Sequence, residues 1–473
     1  MLESSYFDFS DVVDGFVETI STPPPPPTHY PSCLEQQEDY SRDGSVAGLM
    51  PNNVAAISPS KTLKERHMHT QPREYDFSHV SIPKCRLMLY MTNWVTTCAP
   101  LLDKSDIDKH FTAKAPVLAK ESAALLYALL AFSARQYERT NGTDYLDSLE
   151  LYQKALSLLA PSLQTRDAHV PLIVCILACL ELMSGQPQDW RRHAQGCATL
   201  FKLFNVNGLV GGIRQAVFWC YARMDVCGCM MSDSSQSTVL PLDFWLSDTT
   251  IGTEKRVTDE DEVFGRIRSP DMHANWMVYL CAKVCDLAYR ETALMTSNIS
   301  FSGERGLFEK SWAQVWLSLQ SWHDRRPPEM RSIETAVISD TLDFPQILFL
   351  HNASISSNQM YHAACIKMLQ IHPRRICFPS CTDRDPHWSV QWHARRICGI
   401  SETNPHTGSL VNMIQPLCIA GGVLTHPEQH MKVARLLVKI ERLTGWGAIW
   451  GIRNLERVWG YDEGEISRQL LFV

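Results

Sequence analysis

Residues 121–139, ESAALLYALLAFSARQYER, decide the fold, because this stretch is apolar on nearly every face. A helix that is apolar all round is stable only when other elements surround it. We therefore expect residues 121–139 to form a central core helix, with the rest of the domain built around it.

The sequence on both sides of this stretch predicts further helices. Apolar residues from 145 to 159 recur at steps of four and three, and Pro161 is expected to end that helix. More helices are predicted at residues 170–184, 190–204, 213–231, 272–290, 307–322, 344–371, 388–399, 410–421, 429–445 and 447–459. Strict alternation is scarce, so the predicted fold class is all-α. We expect one large, irregular multi-helix domain over residues 82–473.

Three features between the predicted helices have specific interpretations. Residues 232–270 are polar and should interrupt the helical pattern, with the glycines at 208, 211 and 212 in a linker. The acidic patch at 259–262 is interpreted as a solvated loop, with a hard-cation site as the alternative. Gly228, between Cys227 and Cys229, predicts a close helix contact.

Residues 1–81 differ in composition from the rest of the chain. The first 41 residues contain eight acids and no Lys or Arg, and residues 23–27 are five consecutive prolines. Such a segment favours extended conformations and buries little apolar surface, so we expect a disordered acidic, Pro-rich arm. Acids and aromatic residues alternate over residues 6–18, which is typical of activation segments; a plain solvated tail is the alternative.

The charge of the chain argues against a dedicated nucleic-acid-binding protein. It has 51 acids against 44 bases, a formal charge of −7 and a pI near 6.2. Binding to DNA draws much of its affinity from Lys and Arg at phosphates, so a DNA-binding domain is usually locally basic. The short basic groups at 61–66, 325–326, 374–375 and 395–396 are scattered, and we expect them on solvated faces.

Cysteine usage and hydropathy indicate a reducing intracellular compartment. Sixteen Cys in 473 residues is a modest density, and many lie in apolar runs, which favours buried reduced thiols. The first residues are acidic where a secretory signal would be basic. The longest apolar run, residues 170–183, is interrupted by Glu181 and is too short to span a bilayer, so no membrane role is expected.

Metal binding is not predicted, because structural zinc sites are usually built from C-x-x-C pairs and this chain has none. Three Cys pairs are spaced by four: Cys175/Cys179, Cys281/Cys285 and Cys377/Cys381. The first two are expected in the helical core. The third precedes His387, His393 and Cys398, which would supply enough ligands for a site, but the spacing matches no known zinc module. We predict no metal there.

Catalytic motifs are also missing from the sequence. There is no H-E-x-x-H, G-x-S-x-G, phosphate-binding loop or dinucleotide fingerprint. None of the 17 His has a nucleophile or carboxylate at a recognisable spacing. We therefore predict no catalytic residues and no cofactor, and the protein is not expected to be an enzyme.

An ordered set of residues, mostly in predicted helices, carries a family resemblance. Its members are residues 116–119, 125–134, 152–156, 158–159, Leu177, Leu180, Glu181, Trp190, His193, Gly196, Ala198, 216–219, 223–225, 240–245, 440–442, 444–446 and 455–460. In order and spacing this set resembles the fungal-specific transcription factor domain, the helical region C-terminal to a binuclear zinc cluster in many fungal regulators. The resemblance covers most of residues 85–460.

The resemblance implies an all-helical fold, nuclear location and a role in transcriptional control without catalytic residues. It also implies action through a DNA-binding transcription factor or co-regulator, as a homo- or hetero-oligomer, with a small-molecule effector bound among the helices. By this resemblance and on physical grounds, five residues are expected at helix-packing and buried-pair positions: Trp190, His193, Trp219, Arg223 and Asp225.

The N-terminal region departs from the family pattern. Family members usually present six cysteines as a zinc cluster near the N-terminus, whereas this region has only Cys33, Cys85 and Cys98. We therefore expect no cluster in this chain, and indirect contact with promoter DNA. The alternative function is a helical metabolite-binding protein or enzyme on the same scaffold.

Overall fold

The computed structural model describes residues 82–471 apart from 143–145, 185–189, 233, 249–255, 258–259, 266–268, 297–301, 335–343 and 374–384. The predicted arm, residues 1–81, lies outside these residues, as does the Cys377/Cys381 pair.

The described chain begins with a series of short helices. These are α1 (Lys84–Asn93), a π-helical turn (Trp94–Cys98), α2 (Ala99–Leu102), a second π-helical turn (His110–Lys114) and α3 (Ala115–Leu118). Trp94 is fully buried, and its Nε1 donates to the carbonyl of Phe111 at 3.1 Å, which joins the two π-helical turns. Asp103 accepts hydrogen bonds from the amides of Phe111 and Thr112, at 2.7 and 2.8 Å.

The predicted central helix is confirmed as α4 (Ala123–Asn141), which is buried over most of its length. The Ser122 hydroxyl caps its N-terminus by accepting from the amide of Leu125 at 3.3 Å. Gly142 ends it with a φ of 59°, a left-handed conformation that favours glycine. The cap and the glycine explain why the helix begins and ends two residues later than the predicted stretch.

Four long helices follow α4 in the first half of the chain: α5 (Asp147–Gln164), α6 (Val170–Ser184), α7 (Trp190–Phe204) and α8 (Gly212–Met231). Helices α5 and α6 pack against α4, and α7 and α8 pack against α6 and each other. The prediction that Pro161 ends α5 is wrong, because the helix runs one turn further. The carbonyl of Pro161 accepts from the amide of Thr165 at 3.1 Å, while Leu163 beyond it is buried in the core. Burial of Leu163 offsets the hydrogen bond that proline cannot donate.

The polar stretch after α8 contains α9 (Leu242–Trp245), the antiparallel pair β1 (Ser247–Asp248) and β2 (Arg256–Val257), and α10 (Glu260–Phe264). The predicted solvated loop at 259–262 is therefore partly wrong, since Glu260 begins a short helix. Its carboxylate binds Lys283 Nζ at 2.6 Å and accepts from Trp276 Nε1 at 3.0 Å. The cation that neutralises Glu260 is thus Lys283, which lies on the next helix along the chain.

The second half is also helical: α11 (Pro270–Thr296), α12 (Ser302–Asp324), α13 (Asn352–Gln370), α14 (Val390–Thr403), α15 (Thr407–Leu410), α16 (Ile414–Gly421), α17 (Pro427–Thr444), α18 (Ile449–Trp459) and α19 (Glu465–Leu471). The helix predicted over 344–371 begins only at Asn352. Ile347 and Leu348 form β4, antiparallel to β3 (Ile333–Glu334), with Ile333 opposite Leu348. The apolar periodicity of residues 344–371 could not reveal that residues 347–348 pair with β3.

The two halves share one hydrophobic core, in which α4 meets the C-terminal helices. Gln136 Nε2 donates to the carbonyl of Thr444 at 3.2 Å, and Arg139 Nε donates to the carbonyl of Gly445. The amide of Gly447 donates to the carbonyl of Met183, at the end of α6, at 3.1 Å.

The all-α prediction is confirmed over the described residues. In that part of the chain, no helix is long and apolar enough to cross a membrane.

Candidate functional site

A cavity of about 400 Å³ lies where these halves meet, and we call it the central cavity. Its lining residues come from α2, α6, α7, α8, α16, α18 and the connecting segments: Leu101, Leu102, Cys179, Leu182, Trp190, Cys220, Arg223, Met224, Cys227, Gly228, Met231, Ser232, Gln236, Val411, Asn412, Gln415, Trp446, Gly447, Trp450 and Asn454. Its size and its mostly apolar walls with a few polar groups are typical of a small-molecule site.

Helix α8 supplies the longest wall of the central cavity. Its lining residues at 220, 223, 224 and 227 recur at the three- and four-residue spacing that places side chains on one helix face. The next residue, Gly228, packs against the indole of Trp190, which forms the adjoining wall. The close helix contact predicted at Gly228 is thus confirmed, and its partner is Trp190.

Among the described residues that line the central cavity, Arg223 is the only one with a formal charge. Its side chain is 7% exposed, and Nη2 donates to the carbonyl of Leu102 at 3.0 Å. Within the described part of the chain, no carboxylate lies within ion-pair distance of its guanidinium. The remaining polar lining groups are neutral amides and one hydroxyl: Gln236, Asn412, Gln415, Asn454 and Ser232.

A second buried cation, Lys104, lies near Arg223. Lys104 is 4% exposed, and its Nζ donates to the hydroxyl of Ser409. Burial and the charge of Arg223 lower the pKa of Lys104 to about 7, while Asp271 opposes that shift. Burial raises the pKa of Asp271 in turn. The charge of Arg223 opposes that shift, so the charges of Lys104, Arg223 and Asp271 act on one another.

Three thiols meet beside the central cavity. The sulfurs of Cys175, Cys179 and Cys220 lie within 4.8 Å of one another, and Cys179 Sγ is 3.2 Å from Met224 Sδ. The buried positions predicted for Cys175 and Cys179 are confirmed. Cys220 was missed as their neighbour because it lies on α8, and sequence spacing shows only neighbours on one helix. The three thiols offer one ligand fewer than a structural zinc site uses.

The group formed by Asp106, Asp108 and His110 is a second place where ligand atoms approach one another. His110 Nδ1 is 2.9 Å from Asp106 Oδ2, and its Nε2 is 2.9 Å from Lys114 Nζ. Both ring nitrogens of His110 therefore have protein partners. We interpret the group as a set of polar side-chain contacts at the start of a π-helical turn, and not as a metal site.

The candidate metal ligands at 387–398 are used in protein contacts. His393 Nδ1 is 2.8 Å from His362 Nδ1, and His393 Nε2 is 2.9 Å from the carbonyl of His387. Cys398 is buried in the core. Cys377 and Cys381 lie outside the described residues. Because both nitrogens of His393 have partners, this histidine has no lone pair left for a metal in this arrangement.

His362 and His393 belong to a buried relay of hydrogen bonds. Arg396 Nε donates to His362 Nε2 at 3.3 Å, so His362 Nδ1 carries the proton that it donates to His393 Nδ1. His393 then donates from Nε2 to the carbonyl of His387. Burial lowers the pKa of His393 to about 3 and holds that of His362 well below its ordinary value. Both imidazoles are neutral.

Two of the basic groups predicted on solvated faces contribute to this region, so that prediction is partly wrong. Arg396 binds Glu334 through Nη1 at 3.1 Å and lies over the ring of Trp392. Arg326 donates to Asn358 Oδ1 at 2.6 Å and to His323. Paired arginines pack their stems on aromatic rings when a partner fixes the charged end.

The positions expected to pack helices or form buried pairs do so, with one exception. His193 Nδ1 is 2.7 Å from Glu181 Oε2. Asp225 accepts from the amide of Val239 at 2.8 Å, and Trp219 Nε1 donates to the carbonyl of Gly208 at 3.1 Å. Arg223 differs, because it lines the central cavity and has no acidic partner among the described residues.

The fold and the central cavity define a class, namely a large all-helical domain with a cavity between its two halves. Comparison with known sequences is more specific. The fungal specific transcription factor domain matches residues 87–467, and the chain therefore belongs to this family. The resemblance noted in the sequence is confirmed.

One curated relative gives a further comparison. The chain is 22% identical over 342 residues to the transcription activator AMTR1 of Alternaria alternata. The match covers 62% of this chain and 44% of that protein, so this chain spans less than half of the relative's length. No solved structure matches the chain significantly.

Proposed function

We propose that this protein is a nuclear regulator of transcription whose central cavity binds a small-molecule effector. The observation that carries the proposal is the family match over residues 87–467. The description of the Alternaria relative as a transcription activator supports the same role. We propose that the chain has no catalytic activity, in keeping with the family.

The position of the central cavity supports an effector role. One side is formed by α6 and α8, and the other by residues 411–415 and by α18 with the loop before it. A ligand that contacts both sides binds some relative placements of these elements better than others. Such differential affinity is what allows a ligand to shift a conformational equilibrium.

A groove on the outer face of α17 supports action through a protein partner. Arg435, Lys439 and Arg442 are exposed at helical spacing, and Val438, Leu443 and Leu470 line the same groove of about 390 Å³. None of the three cations has an ion-pair partner among the described residues. We propose that an acidic segment with interspersed apolar residues, on a DNA-binding factor or co-regulator, docks here.

A chromatin occupancy map of the tagged protein in its native cells tests the regulatory role. We expect nuclear accumulation and enrichment at a defined set of promoters. Exclusion from the nucleus, or nuclear protein without promoter enrichment, would contradict the proposal. Turnover of a bound metabolite by the purified protein would favour the alternative, a helical enzyme on this scaffold.

Charge reversal in the α17 groove tests the partner surface in the same experiment. The double variant Arg435→Glu/Lys439→Glu should lose promoter occupancy while the protein remains folded, since both side chains are exposed. The matched control is Lys154→Glu, an exposed cation on α5, outside the groove. Equal occupancy for the double variant and the control would remove the α17 groove as the docking surface.

A further inference from the structure

We propose that the central cavity binds a small monocarboxylic acid with an apolar body, and that the guanidinium of Arg223 holds its carboxylate. The inference deepens the proposed effector role, and only its regulatory consequence rests on that role. Binding of the acid depends on the residues that line the cavity and does not depend on the regulatory role.

The charge balance of the site points to an anionic ligand. A buried cation without a counter-ion raises the free energy of the folded state, because it has lost its water. Arg223 is in this situation, with the carbonyl of Leu102 and the thiol of Cys220 as hydrogen-bond partners and no carboxylate at ion-pair distance among the described residues. Lys104, whose pKa is lowered to about 7, adds part of a second positive charge nearby, and Asp271 is the described acid whose charge acts on it. A bound monoanion would balance the excess positive charge.

The guanidinium is well suited to a carboxylate. Its planar fork of N–H donors matches the two carboxylate oxygens, and such charge-assisted pairs are stronger than neutral hydrogen bonds. Only the Nη2 donor is committed to a backbone carbonyl, that of Leu102. The side chain is fixed on a long helix, α8, so little conformational freedom is lost when the ligand binds.

The rest of the lining selects a monoacid with an apolar body. Three indoles, Trp190, Trp446 and Trp450, and the thioethers of Met224 and Met231 surround the space beside Arg223. A phosphate ester or a dicarboxylate would place further negative charge against neutral amides and apolar walls, since Arg223 is the only cation among the described lining residues. Desolvating that extra charge would weaken binding.

Cys220 is an internal alternative source of negative charge. Hydrogen bonds from Cys175 and Cys179, and the nearby charge of Arg223, lower the pKa of the Cys220 thiol. If its thiolate were the counter-ion of Arg223, a carboxylic acid would compete with it. The variant Cys220→Ser removes the ionisable thiol while keeping a side chain of similar size, and so separates the two cases.

The experiment compares acids with their primary amides on the purified full chain, by thermal shift and calorimetry. The probes are benzoate, phenylacetate, 4-phenylbutyrate and decanoate, each beside its amide. We expect at least one acid to stabilise the protein and to bind about tenfold or more tightly than its amide. If no acid binds better than its amide, the proposal is overturned.

Variants of Arg223 locate the binding. Arg223→Met should abolish the preference for the acid, whereas Arg214→Met, an exposed arginine at the start of the same helix, should leave it unchanged. Because Arg223→Met removes an unpaired buried charge, the ligand-free variant should melt no lower than the ligand-free wild type. Arg223→Lys keeps the positive charge but lacks the planar pair of N–H donors. This variant should bind the acid weakly but still prefer it to the amide. Undiminished acid binding by Arg223→Met would overturn the proposal.

Two further outcomes are distinguished. Acid binding that appears only in Cys220→Ser would mean that the thiolate is the natural counter-ion, and would overturn the proposal. Acid binding by the wild type together with unchanged promoter occupancy in cells given that acid would uphold the ligand class and contradict the effector role. Promoter occupancy without any acid binding would leave the regulator proposal standing and remove this inference.

Discussion

The indole of Trp190 packs directly on the backbone of Gly228. A Cβ atom at position 228 would lie 2.6 Å from Trp190 Cε2 and closer still to Cδ2 and Cε3. Helices α7 and α8 therefore approach each other through a ring and a glycine, and this contact sets one wall of the central cavity. Any side chain at 228 must displace the ring.

Gly228→Ala should destabilise the fold and weaken ligand binding. Overpacking of a tight contact costs about 1–3 kcal/mol, and the displaced indole would move into the cavity that it lines. Denaturant unfolding and the acid titrations measure the two effects. The control is Gly303→Ala on α12, where a Cβ meets open space and the helix should become slightly more stable. Equal stability of the two variants would contradict this account.

The imidazole relay predicts that acid destabilises the folded state. The pKa of His393 is about 3 in the fold, below an unfolded value of about 6.5, so the unfolded chain binds more protons as the pH falls. This contribution is complete above about pH 6.5 and is lost as the pH falls towards 3. Asp103 and Asp225, whose pKa values burial raises to about 6, act in the opposite direction.

The difference between wild type and His393→Gln isolates the relay from those acids. Urea unfolding from about pH 8 to about pH 5 should give a wild-type stability that falls more steeply than that of His393→Gln. Parallel curves for wild type and His393→Gln would disprove the predicted role of His393.

Purified protein is predicted to contain no stoichiometric zinc. The thiol cluster supplies three ligands, and both nitrogens of His393 already have partners. Elemental analysis of protein prepared without added metal or chelator tests this. One or two tightly held zinc ions per chain would show that the ligand analysis is wrong.

Limited proteolysis should remove residues 1–81 before it cuts the helical domain. Exposed polar segments are cleaved first, whereas buried helices are cleaved only after the domain opens. Mass spectrometry of early fragments should therefore find products that retain α4 to α8 intact. Early cleavage within residues 123–141 would contradict the assignment of α4 as the centre of the core.

The purified chain should bind DNA only weakly and without sequence preference at near-physiological salt. Specific binding needs base contacts from an element that fits a groove, together with enough phosphate contacts to hold it there. The chain carries a formal charge of −7, and its first 41 residues have no Lys or Arg. A gel shift with excess random DNA tests this; nanomolar binding to one sequence would overturn the partner-dependent proposal.

Local pattern was enough to predict most of the helices. The apolar run at 121–139 requires a buried helix wherever it lies, and the spacing of Trp190, Ala194, Cys197 and Phe201 specifies one face of α7. The errors came where a distant partner overrides local preference. Pro161 remains inside α5 because Leu163 is buried beyond it, and Ile347 is extended because it pairs with Glu334.

The sequence by itself determined the all-α class and the close contact at Gly228, because helical periodicity and turn residues act over a few positions. Its ordered set of matching residues indicated the family by resemblance. Only the tertiary structure decided that Arg223 faces a cavity lined by no described acid, that Cys220 joins Cys175 and Cys179, and that His362 meets His393. These relationships join residues of different helices. Whether a buried charge has a partner depends on which helix surfaces meet, and no spacing along one chain segment records that.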